Sequence, residues 1–165
     1  MSAGAWDGNV ALWRSFLPAR CAEALGQEGN AAYCMLSNYS APYISAAVFV
    51  VEAQSDCVQL VYHDWVPSSA RQDDDPDLRA YMIAFQVNQS QGFHASLKPE
   101  DGWFNPACFI HTEFNSTNPT IGGVSYVGAF GSWLAGSNGS TALRLMDDCG
   151  DDVFCNENCS FNRYC

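Results

Sequence analysis

Basic residues are scarce in this chain: seven Lys and Arg stand against eighteen Asp and Glu, a formal net charge of −11. That balance argues against nucleic acid as a partner, because phosphate binding rests on Lys and Arg. Long hydrophobic runs are missing too. No stretch approaches the length of a membrane span, and the opening MSAGAWDGNV has neither the basic n-region nor the apolar h-region of a signal peptide. The acidic runs, Asp73, Asp74, Asp75 and Asp77 and then Asp147, Asp148, Asp151 and Asp152, lack the alternating ligands and glycine of an EF-hand loop. They read as solvated surface. The cysteines of the tail, spaced C-x5-C-x3-C-x5-C, lack the paired C-x2-C knuckles of most zinc sites. Internal repeats and low-complexity segments are absent, so no metal, cofactor or repeat architecture is implied.

What is present is globular. Apolar residues make up 48% of the 165 and charged residues 15%, enough for one domain with a sizeable core. Eight cysteines, at 21, 34, 57, 108, 149, 155, 159 and 165, are even in number and crowded toward the end. That pattern predicts disulfides formed in an oxidising compartment. Five N-x-S/T sequons, at Asn38, Asn88, Asn115, Asn138 and Asn158, point the same way, to a secreted, extracellular or cell-wall protein. A chain with these features but no leader has either lost its signal peptide or begins within a longer protein.

The order of elements predicts an α/β fold. Pro18 suits the first position of a short helix with Gly26 past its end, and Asn30 is placed to cap a second, AAYCMLSNY. Residues 46–52, AAVFVVE, form a continuous apolar run of the kind buried on both faces of a parallel sheet. The stretch CVQLVY reads as a helical turn or two. Residues 75–91 are the best helix, with Asp75 as cap and Leu78, Tyr81, Met82 and Phe85 on one face. GWFNPACFI is a second strand. In GGVSYVGAFGSWLAG, residues Val124, Val127, Phe130, Trp133 and Leu134 recur at helical spacing. The tail from 145 reads as Cys- and Asp-rich loop. Alternating helices and strands imply a parallel sheet, yet two strands are half of such an architecture.

Two residues stand where doubly wound sheets gather function, just past the carboxyl ends of strands. Asp56 follows the first strand, and His111 follows the second, in NPACFIHTEF. A carboxylate can fix the tautomer of an imidazole and stabilise its protonated form. On spacing alone the plainer reading, capping and solubilising residues at strand ends, prevails. His63 and His94 sit in a loop and after the long helix, and read as surface or packing residues. Ser132 is a small residue on a helix, and Trp103 and Phe104 read as core.

LWRSFLPARC, AAVFVVEAQSDCVQL, GWFNPACFIHTEF, the GGVS…W segment and LMDDCGDDVFCNENC occur here in order from about residue 12 to 160. Together they resemble the C-terminal half of the pectinacetylesterase/Notum family, with P-A-C-x-x-H and C-N-x-x-C as the most specific parts. The resemblance implies a secreted, disulfide-bonded carboxylesterase on an α/β-hydrolase fold. Asp56 would be the triad acid and His111 the triad base, and the substrate an acylated polysaccharide or acylated protein. It also implies that residues 1–165 are a single incomplete α/β-hydrolase domain, 145–165 being its Cys-rich tail, with the N-terminal half of the fold missing. The family's nucleophile sits in a G-x-S-A-G elbow, and no G-x-S-x-G occurs in these residues. Ser2-Ala3-Gly4 is set aside because no strand precedes it.

Two functions are therefore carried forward. One is the acid- and base-bearing portion of a serine carboxylesterase, inactive alone. The other is a catalytically dead, disulfide-stabilised binding module on the same scaffold. A strand and G-x-S-A-G encoded upstream of Met1 would select the first. Cys21 is expected to pair with Cys34, and Cys108 with Cys149, Cys155 or Cys159.

Overall fold

The computed structural model describes residues 3–70, 74–112, 114, 117–136, 144–150 and 152–159, with the side chains of 3–6 excepted. Ser2, Asp73, Asn115, Asn138, Asp151 and Cys165 lie outside these residues. The chain divides into two compact units, one of Met1–Ala47 with Gly92–Pro99 and one of Val48–Gln91 with Glu100–Cys165.

The first unit is helical. It holds α1 (Ala3–Trp13), α2 (Ala19–Gly26), a 3-10 turn at Ala31–Met35, the single turn α3 (Ser37–Ser40) and a second 3-10 turn at Ala41–Tyr43. Pro18 is the N-cap of α2 rather than its first residue. The predicted helix AAYCMLSNY is broken at Leu36, whose φ of −91° and ψ of 131° are extended. Cys21 and Cys34, both buried, are joined as expected and fasten α2 to the 3-10 turn. Lys98 closes the unit by donating to the carbonyls of Ile44 at 3.1 Å and Ala46 at 2.6 Å.

The second unit is built on a parallel sheet. Strands β1 (Phe49–Val51), β2 (Gly102–Asn105) and β5 (Arg144–Met146) lie in the order β1-β2-β5. Both pairings are parallel, with Val50 opposite Trp103 and Phe104 opposite Leu145. Helix α4 (Pro76–Ser96) begins in this unit, and Asp75 caps it by accepting from the backbone of Asp77 at 2.9 Å. The result is the α/β layering with a parallel sheet that the sequence predicts.

Several boundaries differ from the sequence reading. The run 46–52 yields only three strand residues, all half-buried, because β1 lies at the edge of the three-stranded sheet. The strand read through GWFNPACFI stops at Asn105, since Pro106 has no N–H to continue the ladder. Residues 107–110 remain buried but irregular. β5 takes in the first residues of the tail expected as loop from 145, because Arg144 and its neighbours give too short an apolar signal beside the Asp-rich stretch. Gly122 and Gly123, with φ of 57° and 81°, make the two-residue turn of a hairpin between β3 (Thr120–Ile121) and β4 (Val124–Ser125). Val124 thus belongs to that hairpin, and α5 begins only at Tyr126, capped by Ser125 (Tyr126–Leu134). The face of α5 that buries is Ala129, while Val127, Phe130 and Leu134 are exposed. Tyr81 on α4 is likewise exposed, whereas Met82 is buried.

Around the sheet, Leu60, Val66, Met82, Phe109 and Val153 form one core cluster, and Phe104, Ile121 and Ala129 another. The tail is tied to the segment after β2 by a Cys108–Cys159 disulfide, one of the pairings expected, and is closed on itself by Cys149–Cys155. Cys57 is also disulfide-bonded, and no helix among the described residues is long and apolar enough to cross a membrane.

Gly102 sits directly opposite Phe49, and a Cβ built there would enter the Phe49 ring and press on Trp133. Replacing Gly102 with Ala should therefore cost about 1–3 kcal/mol by overpacking, read as a fall in the urea midpoint. The same change at Gly92, inside α4 with nothing near its missing Cβ, should raise the midpoint by up to about 1 kcal/mol. Equal effects at the two glycines would contradict this packing.

Candidate active site

Backbone bonds carry the sheet register past the ends of β1 and β2. The Glu52 N–H donates to the Phe104 carbonyl at 3.1 Å and the Gln54 N–H to the Pro106 carbonyl at 2.9 Å. Both chains therefore leave the sheet side by side. Asp56 lies five residues past Val51, and His111 six past Asn105.

Asp56 opens a short helical stretch, residues 57–63, of which Gln59–His63 is π-helical. Its Oδ1 accepts the backbone N–H groups of Val58 at 2.8 Å and Gln59 at 3.1 Å. This is an N-cap in which an anion meets the donor end of a helix, a favourable place for negative charge. Its other oxygen, Oδ2, lies 2.7 Å from His111 Nδ1. The Asp56 side chain is 5% exposed and that of His111 45%. A buried carboxylate thus holds one ring nitrogen of a half-open imidazole. With Nδ1–H directed at Asp56, the lone pair lies on Nε2, the nitrogen left to exchange protons.

The acid segment is pinned by buried amides. Asn105 Nδ2 donates to the Glu52 carbonyl at 2.7 Å, and Gln89 of α4 donates to the Ala53 carbonyl at 3.3 Å. Gln54 donates to the carbonyls of Asn105 at 3.1 Å and Asp147 at 2.8 Å. Ser90 donates to Asn105 Oδ1 at 3.0 Å. Each such group satisfies a neighbour that would otherwise be buried without a partner, and so fixes the backbone on which Asp56 rides.

The base segment is pinned by the tail. Asp147 Oδ2 accepts from the Ala107 N–H at 2.9 Å and from Asn156 Nδ2 at 2.6 Å. The Cys108–Cys159 disulfide lies three residues before His111. A disulfide closing a loop of this size is worth about 2–4 kcal/mol.

A third ionisable group, Glu52, joins the pair. Burial and the negative charge of Asp56 raise its pKa from 4.5 to about 7, and His111 opposes that rise. The sequence shows Glu52 only as the last letter of an apolar run, and nothing marks it as part of a site. Asn105, Gln54 and Gln89 were missed for the same reason: scattered amides carry no periodic signal.

The remaining candidates separate from this cluster. His63 is exposed at the end of the π-helical turn, and His94 is exposed in the last turn of α4 rather than beyond it. Ser132 is exposed on α5, and Trp103 and Phe104 are buried in the sheet. Among the described residues no group of His, Cys, Asp and Glu is arranged to hold a metal ion.

A family model described as "Pectinacetylesterase" matches residues 9–160. No curated protein was found to match the chain.

The raised pKa of Glu52 has a consequence for stability. Its contribution is fully present below the ordinary value of 4.5 and is lost as pH rises through about 7. Glu52→Gln, which has no charge to bury, should not suffer that loss. The variant should gain on the native chain between pH 5 and pH 8 by on the order of 1–2 kcal/mol, allowing for partial exposure. Urea midpoints at the two pH values test this, and a difference independent of pH would refute it.

Proposed function

The chain belongs to the pectinacetylesterase family, and on that premise we propose that it carries the acid and base of a Ser–Asp–His carboxylesterase on an α/β-hydrolase fold. Asp56 is the triad acid and His111 the base. The observation that carries this reading is the 2.7 Å contact between Asp56 Oδ2 and His111 Nδ1, made by a half-exposed His111 side chain and a buried Asp56. In this assignment Nε2 takes the proton of an attacking hydroxyl and later returns it to the leaving alcohol. Asp56 holds the tautomer and stabilises the imidazolium. Its helix-capping bonds hold the carboxyl in place beside the ring.

The substrate class proposed is an acylated polysaccharide, or an acylated protein, at an ester of either. Residues 1–165 are proposed as a single incomplete hydrolase domain, supplying two triad members and no nucleophile elbow. A secreted or cell-wall location is supported by the disulfides and by exposed sequon asparagines at 38, 88 and 158.

Acyl transfer by this route needs a hydroxyl to give up its proton and donors to hold the oxyanion. Purified residues 1–165 should therefore turn over a p-nitrophenyl ester no faster than a His111→Ala control, and should resist a fluorophosphonate probe. Labelling at Ser2 would overturn the proposal and make MSAG the elbow. In a form extended to include a G-x-S-A-G elbow, Asp56→Asn should lower kcat by roughly 10³–10⁴. An unchanged kcat there would remove Asp56 from the triad.

A further inference from the structure

Trp65 stands at a backbone position suited to glycine. The helical stretch that Asp56 caps ends at His63, and the chain turns out of it through Asp64 into a left-handed Trp65 with φ of 60°. The Val66 N–H then donates back to the Leu60 carbonyl at 2.9 Å, and the Asp64 N–H to the Gln59 carbonyl at 3.1 Å. Glycine is the usual residue where a helix ends this way, because a Cβ strains the left-handed conformation. Phe154 carries the same strain, with φ of 58°, and offsets it by packing its ring on Phe109 at 5.2 Å between centroids. Trp65 has no such return. It is 85% exposed, and its indole makes no ring contact or hydrogen bond among the described residues. Tyr62, three residues earlier, is 63% exposed and equally unengaged. His63 and Asp64 between them are exposed as well. Large apolar rings kept in water on a strained turn point to binding rather than to folding.

This surface is held firmly and lies on the segment that carries Asp56. Leu60 and Val66 are buried in one core cluster to either side of it, and from α4 the Tyr81 hydroxyl donates to Asp64 Oδ2 at 2.8 Å. Tyr62 lies six residues past Asp56, so less than roughly 10 Å of helix separates them. Two separate ring faces, each with a polar tip, beside an imidazole and a carboxylate match a ligand of repeated flat apolar faces rimmed with hydroxyls. A pyranose chain has that form. A long acyl chain needs an enclosed apolar cleft, which two rings open to solvent do not make. Charge selects further. Asp64 and Asp77, the latter one turn before Tyr81 on α4, are exposed carboxylates, and Arg79 of α4 is already paired with Asp152 at 2.6 Å. Anionic sugars are thereby disfavoured. We propose that Tyr62 and Trp65 form a subsite for an uncharged pyranosyl segment of a polysaccharide. Its purpose rests on the esterase reading above, within which it selects acylated polysaccharide over acylated protein as the substrate. The binding itself does not need that reading.

NMR titration of the whole 165-residue chain with hexagalacturonate, once fully methyl-esterified and once as the free acid, tests the subsite without catalysis. The methyl ester should shift the Trp65 indole N–H signal, which is identified by its loss in Trp65→Gly. The free acid should bind more weakly at low salt, and the gap should narrow as salt is added. Trp65→Gly should weaken methyl-ester binding by roughly ten-fold or more, as loss of an aromatic anchor does. The same variant should raise the urea midpoint, because glycine relieves the strained turn. Weaker binding in a more stable chain cannot be a loss of fold. Tyr62→Ala should also weaken binding. A native chain whose Trp65 signal ignores the methyl ester overturns the proposal, and so do unchanged binding in Trp65→Gly and tighter binding of the free acid. A lower midpoint in Trp65→Gly overturns it as well, since the indole would then serve the fold. Hexalysine shifting these signals while the hexasaccharide leaves them still would make the surface a site for basic peptides instead. None of these results touches Asp56 and His111, whose assignment stands on the activity of the elbow-bearing form. An unchanged kcat in Asp56→Asn of that form would in turn leave the sugar binding as measured.

Discussion

The parallel register of β1 on β2 is the constraint from which the site follows. Val50 opposite Trp103 fixes where each strand ends, and the backbone bonds from Glu52 and Gln54 extend that alignment to Pro106. In a parallel pair both carboxyl ends leave on the same side. An acid a few residues past one and a histidine a few residues past the other are then neighbours without any long-range search. A slip of one residue would turn every side chain of the segment to the opposite face and would carry Asp56 away from the ring.

Convergence alone would leave two negative groups crowded at one end of the sheet, and the structure resolves them unequally. Asp56 gains the donor end of a helix and an imidazole, which offset the cost of burying its charge. Glu52 gains one long amide contact and bears the repulsion, so its proton stays on until about pH 7. Environment thus treats two chemically similar carboxyls four residues apart unequally, giving hydrogen-bond donors to one and burial beside a like charge to the other. The same logic explains the neutral amides around them. A charged residue in place of Gln89 or Asn105 would disturb both acids at once.

The sequence made the polar ends of the strands legible and the strands themselves less so. Asp56 and His111 were found because each follows an apolar run, and the reading depended on the ends of those runs rather than on their full extent. The contact between the two side chains does not need the full length of either predicted strand. The helix from Asp75 was visible through its cap and its periodicity, though Tyr81 turned outward to meet Asp64 at 2.8 Å. The hairpin at Gly122–Gly123 is masked in the sequence by a helical period that runs through it, although paired glycines between short apolar stretches signal a tight turn. β5 was illegible for a different reason. Three residues of edge strand gain their place from pairing with β2, and nothing local distinguishes Arg144–Met146 from the loop around it. Glu52 could not be found by pattern at all, since its proton affinity is a property of neighbours 4 and 59 positions away in the chain.

The Cys-rich tail acquires a reason from the proline that ends β2. After Pro106 the chain loses its ladder, and residues 107–110 must be buried without strand pairing to satisfy them. Their polar groups find partners in the tail instead: the Ala107 N–H in Asp147, and the Ala107 carbonyl in the Asn156 N–H at 3.4 Å. Cys159 then makes the association covalent through Cys108. His111 is thus placed by the sheet on one side and by the tail on the other, and the tail's share depends on a bond that exists only under oxidising conditions. The placement of His111 and the redox state of the Cys108–Cys159 pair are therefore linked. The cysteine pattern that predicts an oxidising compartment also ties the segment just before His111 to the tail.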